Sequence, residues 1–258
     1  MKILFISDIF GKPGRTALLS KLPELTEKYS VDFVVANGEN TASGAGITTK
    51  IAEKLLDGGV DVITTGNHVW RQRDILPFLQ KSERIIRPAN YLPDNPGRGW
   101  TTFEKNDGTL AVINLSGNLY IGAPLGAFQV IDSVLAEIPA DINSILVDFH
   151  AEATSEKVAM GHYLDGRVTA VIGTHTHVQT ADAKILDKGT AYITDAGMTG
   201  PRNSVIGVDK NIILKRFLTQ MPVKFEVAED DVWIEGVLVT SEDNGRATAI
   251  ENLQIKAG

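Results

Sequence analysis

The sequence predicts an α/β fold with two packed mixed β-sheets flanked by helices. Three observations carry this expectation. Continuous apolar runs alternate with amphipathic segments through the first eighty residues, which predicts parallel strands joined by right-handed helical crossovers. Turn signals in the middle of the chain, Asn106-Asp107-Gly108 and Asp187-Lys188-Gly189, predict hairpins and hence antiparallel strands. A closing set of strand-like runs has the spacing of a second sheet packed against the first.

The elements follow in order. Lys2–Ser7 is a continuous apolar run, as expected for a strand buried on both faces. A helix over about 15–29 follows, with Leu18, Leu19, Leu22 and Leu25 at helical spacing and Pro23 marking a kink or break. Asp32–Ala36 is the next strand, then a helix near 48–56, a short strand Val60–Thr64 and a helical segment over 74–80. Trp100–Glu104 and Thr109–Leu115 flank the first hairpin turn. A helix over 128–137, a strand Ser144–Phe149, a helix over 152–164 and a strand Val168–Ile172 come next. Ala183–Leu186 and Thr190–Thr194 form the second hairpin. A helix over 211–218 precedes strands at 224–227, 232–240 and 247–255. No linker, repeat or low-complexity segment interrupts the chain, so residues 1–258 are expected to form one domain.

Composition excludes several function classes. The 258 residues are 43% hydrophobic and 22% charged, with a formal net charge of −7. That charge argues against broad nucleic-acid binding, because no global positive field gathers phosphates. It leaves room for a small phosphate-bearing substrate, since bound cations reverse the local sign. Without cysteine there are no disulfides and no thiolate chemistry, which suits the cytoplasm. No run is long enough for a membrane span, and the apolar run at Ile3–Ile6 is too short for a signal-peptide core. A homo-oligomer is left open.

The chemistry gathers at strand ends. Asp8, Glu39, Asn40, Asn67, His150, His175 and His177 all fall just past predicted strands, the edge where open α/β sheets bind ligands. Of five histidines, four (His68, His150, His175, His177) lie there. In Gly173-Thr174-His175-Thr176-His177 an extended backbone would turn both rings to one side. A lone His-x-His is more often a pair of solvated loop residues; the rest of the set favours a metal clamp. Mixed carboxylate, carboxamide and imidazole ligands suit first-row metals such as Mn, Fe or Zn. Seven ligands are too many for one tetrahedral ion and about right for two ions sharing a carboxylate.

These residues resemble the calcineurin-like metallophosphoesterases in Asp8, Gly66-Asn67-His68, His150 and Gly173–His177. Asn37-Gly38-Glu39-Asn40, Gly66–Trp70, His150–Lys157 and Asp195–Pro201 resemble the bacterial YmdB-like branch, which is associated with hydrolysis of 2′,3′-cyclic nucleotides. The resemblance implies an αββα metallophosphoesterase fold. It also implies that Asp8, Glu39, Asn40 and His177 hold one metal while Glu39, Asn67, His150 and His175 hold the other, with Glu39 bridging. Two departures from the wider superfamily stand out: Phe10 replaces the His of Asp-x-His, and Glu39 stands where an Asp is usual. Losing an imidazole at position 10 makes the first site harder and richer in oxygen. The implied reaction is metal-dependent hydrolysis of a phosphodiester. A hydroxide shared by two cations about 3.5–4 Å apart attacks phosphorus, Fe or Mn being favoured and Zn admissible, and His68 serves as the catalytic acid. Alternatives are a phosphomonoesterase, a phosphodiesterase for other esters, or a regulatory metal-binding protein with little turnover.

Other residues read as structural. His162 matches no motif and sits on a helix. Gly11–Gly14 precedes a helix but fits neither a Walker loop nor a dinucleotide fingerprint, so a tight turn is expected. Arg15, Arg71, Arg73 and Arg202 are candidate phosphate clamps for which ordinary surface charge is the better reading, least so for Arg202. Trp70 either stacks on a base or packs under its loop, packing being commoner. Asp195 is either a partner of a ligand histidine or a plain loop acid.

Overall fold

The computed structural model describes residues 1–106 and 108–257. The first sheet contains β1 (Lys2–Ile6), β2 (Asp8–Ile9), β3 (Phe33–Asn37), β4 (Val62–Thr64), β11 (Met198–Pro201), β12 (Val232–Ser241) and β13 (Ala247–Lys256), in the order β2-β11-β12-β1-β3-β4 with β13 on the far edge of β12. The second contains β5 (Trp100–Lys105), β6 (Gly108–Ser116), β7 (Ser144–His150), β8 (Ala170–Thr174), β9 (Lys184–Ile185) and β10 (Ala191–Ile193), in the order β5-β6-β7-β8-β10-β9. In each sheet a parallel core (β1-β3-β4 and β6-β7-β8-β10) is edged by antiparallel partners.

The two faces of each strand explain its unbroken apolar run. Ile3, Phe5, Phe33 and Val35 meet Leu110, Val112, Leu146, Ala170, Ile172 and Ile193 between the sheets. The alternate residues Leu4, Ile6, Val34 and Ala36 pack outward on Leu18, Leu22 and Leu25 of α1 (Gly11–Tyr29) and on α2 (Thr49–Asp57) and α3 (Leu76–Lys81). Ala111, Ile113, Val147 and Val171 pack outward on α4 (Ala127–Glu137) and α5 (Thr154–Leu164). With both faces covered, no position has to be polar. The layers therefore run helix, sheet, sheet, helix, as the sequence predicts.

Several expectations are corrected. The closing strands do not build the second sheet: β12 pairs with β1 (Ile3↔Val239) and joins the first, while the middle strands supply the second. Apolar alternation shows that a strand has a buried face; it does not name its partner. The run at 224–227 makes only one bridge, Val208↔Val227. The predicted 74–80 helix splits into a tight turn at Arg73–Ile75 and α3, since Pro77 fixes the first turn of the latter. α1 begins at Gly11 and continues through Pro23, whose missing N–H removes one rung of the helical ladder. α6 (Lys210–Thr219) is capped by Asp209, whose carboxylate accepts from the N–H groups of Asn211 and Ile212. The predicted hairpin turn includes Asp107, which lies outside the described residues; its flanks pair, Lys105↔Gly108. No helix among the described residues is long and apolar enough to cross a membrane.

Candidate metal centre

All seven predicted ligands meet at one place, where the carboxyl ends of the two sheets face each other. Asp8 follows β1, Glu39 and Asn40 follow β3, and Asn67 and His68 follow β4. His150 ends β7, and His175 and His177 follow β8. Asp8, Glu39 and His150 are fully or almost fully buried.

Two groups form around Glu39. In the first, His150 Nε2 lies 3.2 Å from Glu39 Oε1, 3.1 Å from Asn67 Oδ1 and 3.0 Å from His175 Nδ1. Ligand atoms of Glu39, His150 and His175 all fall within 4.8 Å of one another. In the second, Asn40 Nδ2 donates to Glu39 Oε1 (3.0 Å), stands 3.1 Å from His177 Nε2 and lies 3.4 Å from Asp8 Oδ1. His177 Nε2 is 3.7 Å from Asp8 Oδ1.

The outward nitrogen of each imidazole settles what faces inward. Thr174 donates its hydroxyl proton to Asp148 Oδ1 (2.7 Å), so it accepts from His150 Nδ1 (2.9 Å). His175 Nε2 faces the Glu152 carboxylate at 3.1 Å. His177 Nδ1 donates to the Ile206 carbonyl at 3.0 Å. Each outer partner is an acceptor, so in the neutral rings His150 Nε2, His175 Nδ1 and His177 Nε2 carry lone pairs. These lone pairs converge with two carboxylates and a carbonyl oxygen. Such a cluster repels itself unless a cation stands among its members, so the residues present fit a metal.

Titration follows the same logic. Burial works against a charge on His150, but Glu39, Asp8 and Asp148 raise it from 6.5 to about 9. Burial equally opposes the Glu39 charge, yet His150 and His68 hold that carboxyl well below the usual range. Burial pushes Asp148 up to about 6, and burial with the neighbouring His150 charge pushes His175 down to about 3. A proton on His150 thus fills the role of the cation. In chelator-treated protein, the folded value above the unfolded 6.5 adds stability that is complete below about pH 6.5 and lost as pH rises through about 9. Denaturation midpoints across that window, with an NMR titration of the His150 ring, check this. Because metal must displace the proton, affinity is expected to climb by up to about tenfold per pH unit until about pH 9.

The structure sharpens or corrects several residue readings. Asn40 joins the set with Nδ2 inward; its Oδ1 accepts from His68 Nδ1 at 2.8 Å. The His175–His177 segment is not extended: His175 has φ 101° and His177 φ 63°, so the rings do not share one side but go to different groups. Asp195 is a partner of this turn, accepting from Thr176. Arg202 pairs with Glu235 and stacks on Trp233, and Arg15 donates to the Thr41 carbonyl, so neither is a free clamp. Trp70 packs beside Tyr91, and His162 is exposed on α5. At Gly14 a Cβ would stand 2.1 Å from the Thr199 carbonyl oxygen, so this glycine serves close packing of α1 on β11. Asp148, Thr174, Glu152 and Ile206 were missed. The i+2 spacing of Asp148 and His150 on one strand face was the one available signal.

A family model described as YmdB-like protein matches residues 4–253. The chain is 47% identical over 256 residues to the 2′,3′-cyclic-nucleotide 2′-phosphodiesterase of Bacillus subtilis (strain 168), covering 99% of this chain and 97% of that protein. Its fold is similar to a hypothetical protein from Thermus thermophilus, with TM-score 0.93, 41% identity and full coverage of both chains. It is likewise similar to a structure described as a novel phosphatase from Mycoplasma pneumoniae, with TM-score 0.91 and 36% identity over 99% of this chain and 93% of that one. Built on the same two-sheet scaffold and matched along nearly its whole length, the chain belongs to the YmdB-like protein family.

Proposed function

We propose that this phosphoesterase opens 2′,3′-cyclic nucleotides at a dinuclear metal centre formed by the whole chain acting as one domain. The observation that carries the reading is the convergence of acceptor atoms in two groups that share Glu39. Asp8, Glu39, Asn40 and His177 would hold one ion, and Glu39, Asn67, His150 and His175 the other. Asn40 would ligate through Oδ1, the atom now on His68. First-row ions, Fe or Mn before Zn, suit this mixture of oxygen and imidazole nitrogen. When bound, the metal pair supplies Lewis acidity toward the phosphoryl oxygens and acidifies water. The relative from Bacillus subtilis, named for this reaction, supports the choice of substrate, and the cysteine-free composition suits a reducing cytoplasm.

The remaining work falls to His68. Its backbone N–H donates to Glu39 Oε2 at 3.1 Å, which fixes its place beside the bridge. Its side chain is 27% exposed, the part of the site open to a substrate. With Nδ1–H donated to Asn40 Oδ1, it is the imidazolium form of His68 that carries a second proton on Nε2; it gives that proton to the 2′ oxygen as a water oxygen bonds to phosphorus and the P–O2′ bond breaks, yielding a 3′-monoester. His68→Ala is expected to keep its metal and lose about 10²–10⁴-fold in kcat; metal analysis and steady-state rates on one preparation check this. The proposed substrate is tested by Mn-loaded turnover of 2′,3′-cyclic AMP, 3′,5′-cyclic AMP and p-nitrophenyl esters. The 2′,3′-cyclic compound is expected to be the best substrate, and preference for p-nitrophenyl phosphate would replace this reading with a monoesterase.

A further inference from the structure

The turn carrying His175 and His177 is held by a buried ion pair that the chemistry above does not use. Both histidines have left-handed φ, 101° and 63°, a conformation that is strained for a non-glycine residue and persists only where its surroundings hold it. Thr176 lies between them. Its backbone N–H donates to Asp195 Oδ2 at 3.0 Å and its hydroxyl to the same oxygen at 2.8 Å. That oxygen also accepts from Lys157 Nζ at 2.7 Å, while Asp195 Oδ1 accepts from Gly197 N–H at 2.9 Å. The side chains of Lys157 and Asp195 are 1% and 0% exposed. Lys157 reaches this point from α5 past Gly173, where a Cβ would stand 1.8 Å from the Thr194 carbonyl oxygen and 3.0 Å from Lys157 Cδ. A buried ion pair is a poor source of stability, because desolvation consumes most of the attraction. What this one supplies is a fixed acceptor behind Thr176.

We propose that Asp195, paired with Lys157, is a positioning residue of the metal centre. By clamping Thr176 it holds the strained turn that sends His175 Nδ1 to the Glu39–His150 group and His177 Nε2 to the Asp8–Asn40 group. The inference rests on the two-metal reading above. Without the clamp the turn relaxes toward ordinary φ, and the two rings no longer divide between the groups.

The test is Mn(II) binding by calorimetry and electron paramagnetic resonance on wild type, Asp195→Asn, Thr176→Val and Thr176→Ser. Wild type is expected to take up two ions and give the exchange-coupled signal of a Mn pair. Folded Asp195→Asn is expected to bind one of the two ions at least about tenfold more weakly. It should show the signal of isolated Mn at metal levels that saturate wild type. Thr176→Val, which loses only the hydroxyl donor, should show a smaller loss in the same direction, and Thr176→Ser should restore wild-type binding. If Asp195→Asn does not fold, the Val and Ser variants decide alone. Unchanged affinities and an intact coupled signal in folded Asp195→Asn, or in Thr176→Val when that variant decides alone, would overturn the clamp whatever happens to thermal stability. Uptake of fewer than two ions by wild type would instead remove the two-metal reading, and the clamp with it.

Discussion

Glu39→Gln is expected to abolish stable metal uptake and to lower kcat/KM for a 2′,3′-cyclic nucleotide by about 10³-fold or more, about 4 kcal/mol of transition-state stabilisation. Glu39 is the one residue common to both acceptor groups, through Oε1 to His150 and Asn40 and through Oε2 to the His68 N–H. The amide is nearly isosteric but neutral, so the site loses its central negative charge and gains an N–H aimed at a lone pair or an ion. A second readout is free of turnover. Glu39 is the main group raising His150, so the His150 ring in metal-free Glu39→Gln should titrate well below the wild-type value of about 9. Full metal content with wild-type turnover would show that Glu39 does not bridge.

Gly66→Ala should be nearly as damaging although it adds one methyl group. A Cβ there would stand 2.3 Å from Glu39 Oε2, 2.4 Å from His150 Cδ2 and 2.5 Å from His150 Nε2. Those atoms belong to both sides of the proposed centre, and the methyl must displace the carboxylate, the imidazole or both. The expected result is loss of the second metal equivalent and about 10²–10³-fold lower kcat, since small misplacements of reacting groups cost about that much. The metal-free melting temperature should change little compared with the loss of the stabilisation that added metal gives wild type. Equal metal-induced stabilisation in the two proteins would refute the steric argument.

Much of this site was legible because parallel strands buried on both faces leave a plain signature. Ile3–Ile6, Phe33–Ala36 and Val171–Ile172 are unbroken apolar runs, and within a few residues after them come Asp8, Glu39, Asn40, His175 and His177, which meet in space. Partition of the strands was not legible. β12 and the middle strands have similar patterns, and only long-range pairing assigns the former to β1. The fine structure of the site was hidden for other reasons. Left-handed φ at His175 and His177 is imposed by tertiary contacts, not by residue type. No sequence signal pairs Lys157, on a helix, with Asp195, and the Ile206 carbonyl that orients His177 is backbone chemistry open to any side chain.

The pairing of β1 with β12 also sets an order of events during synthesis. β1 leaves the ribosome long before β12, its antiparallel neighbour. Until β12 arrives, one edge of β1 lacks its ladder, Ser7 lacks the Glu235 carbonyl, and β11, which pairs Met198 with Asp8, lacks its own partner in β12. Such long-range closure is slow and leaves an open strand edge exposed meanwhile. Asp8 is therefore locked into place only after β12 has been made. Asp8 waits for strands made long after it, so a chain stalled short of β12 cannot assemble the centre.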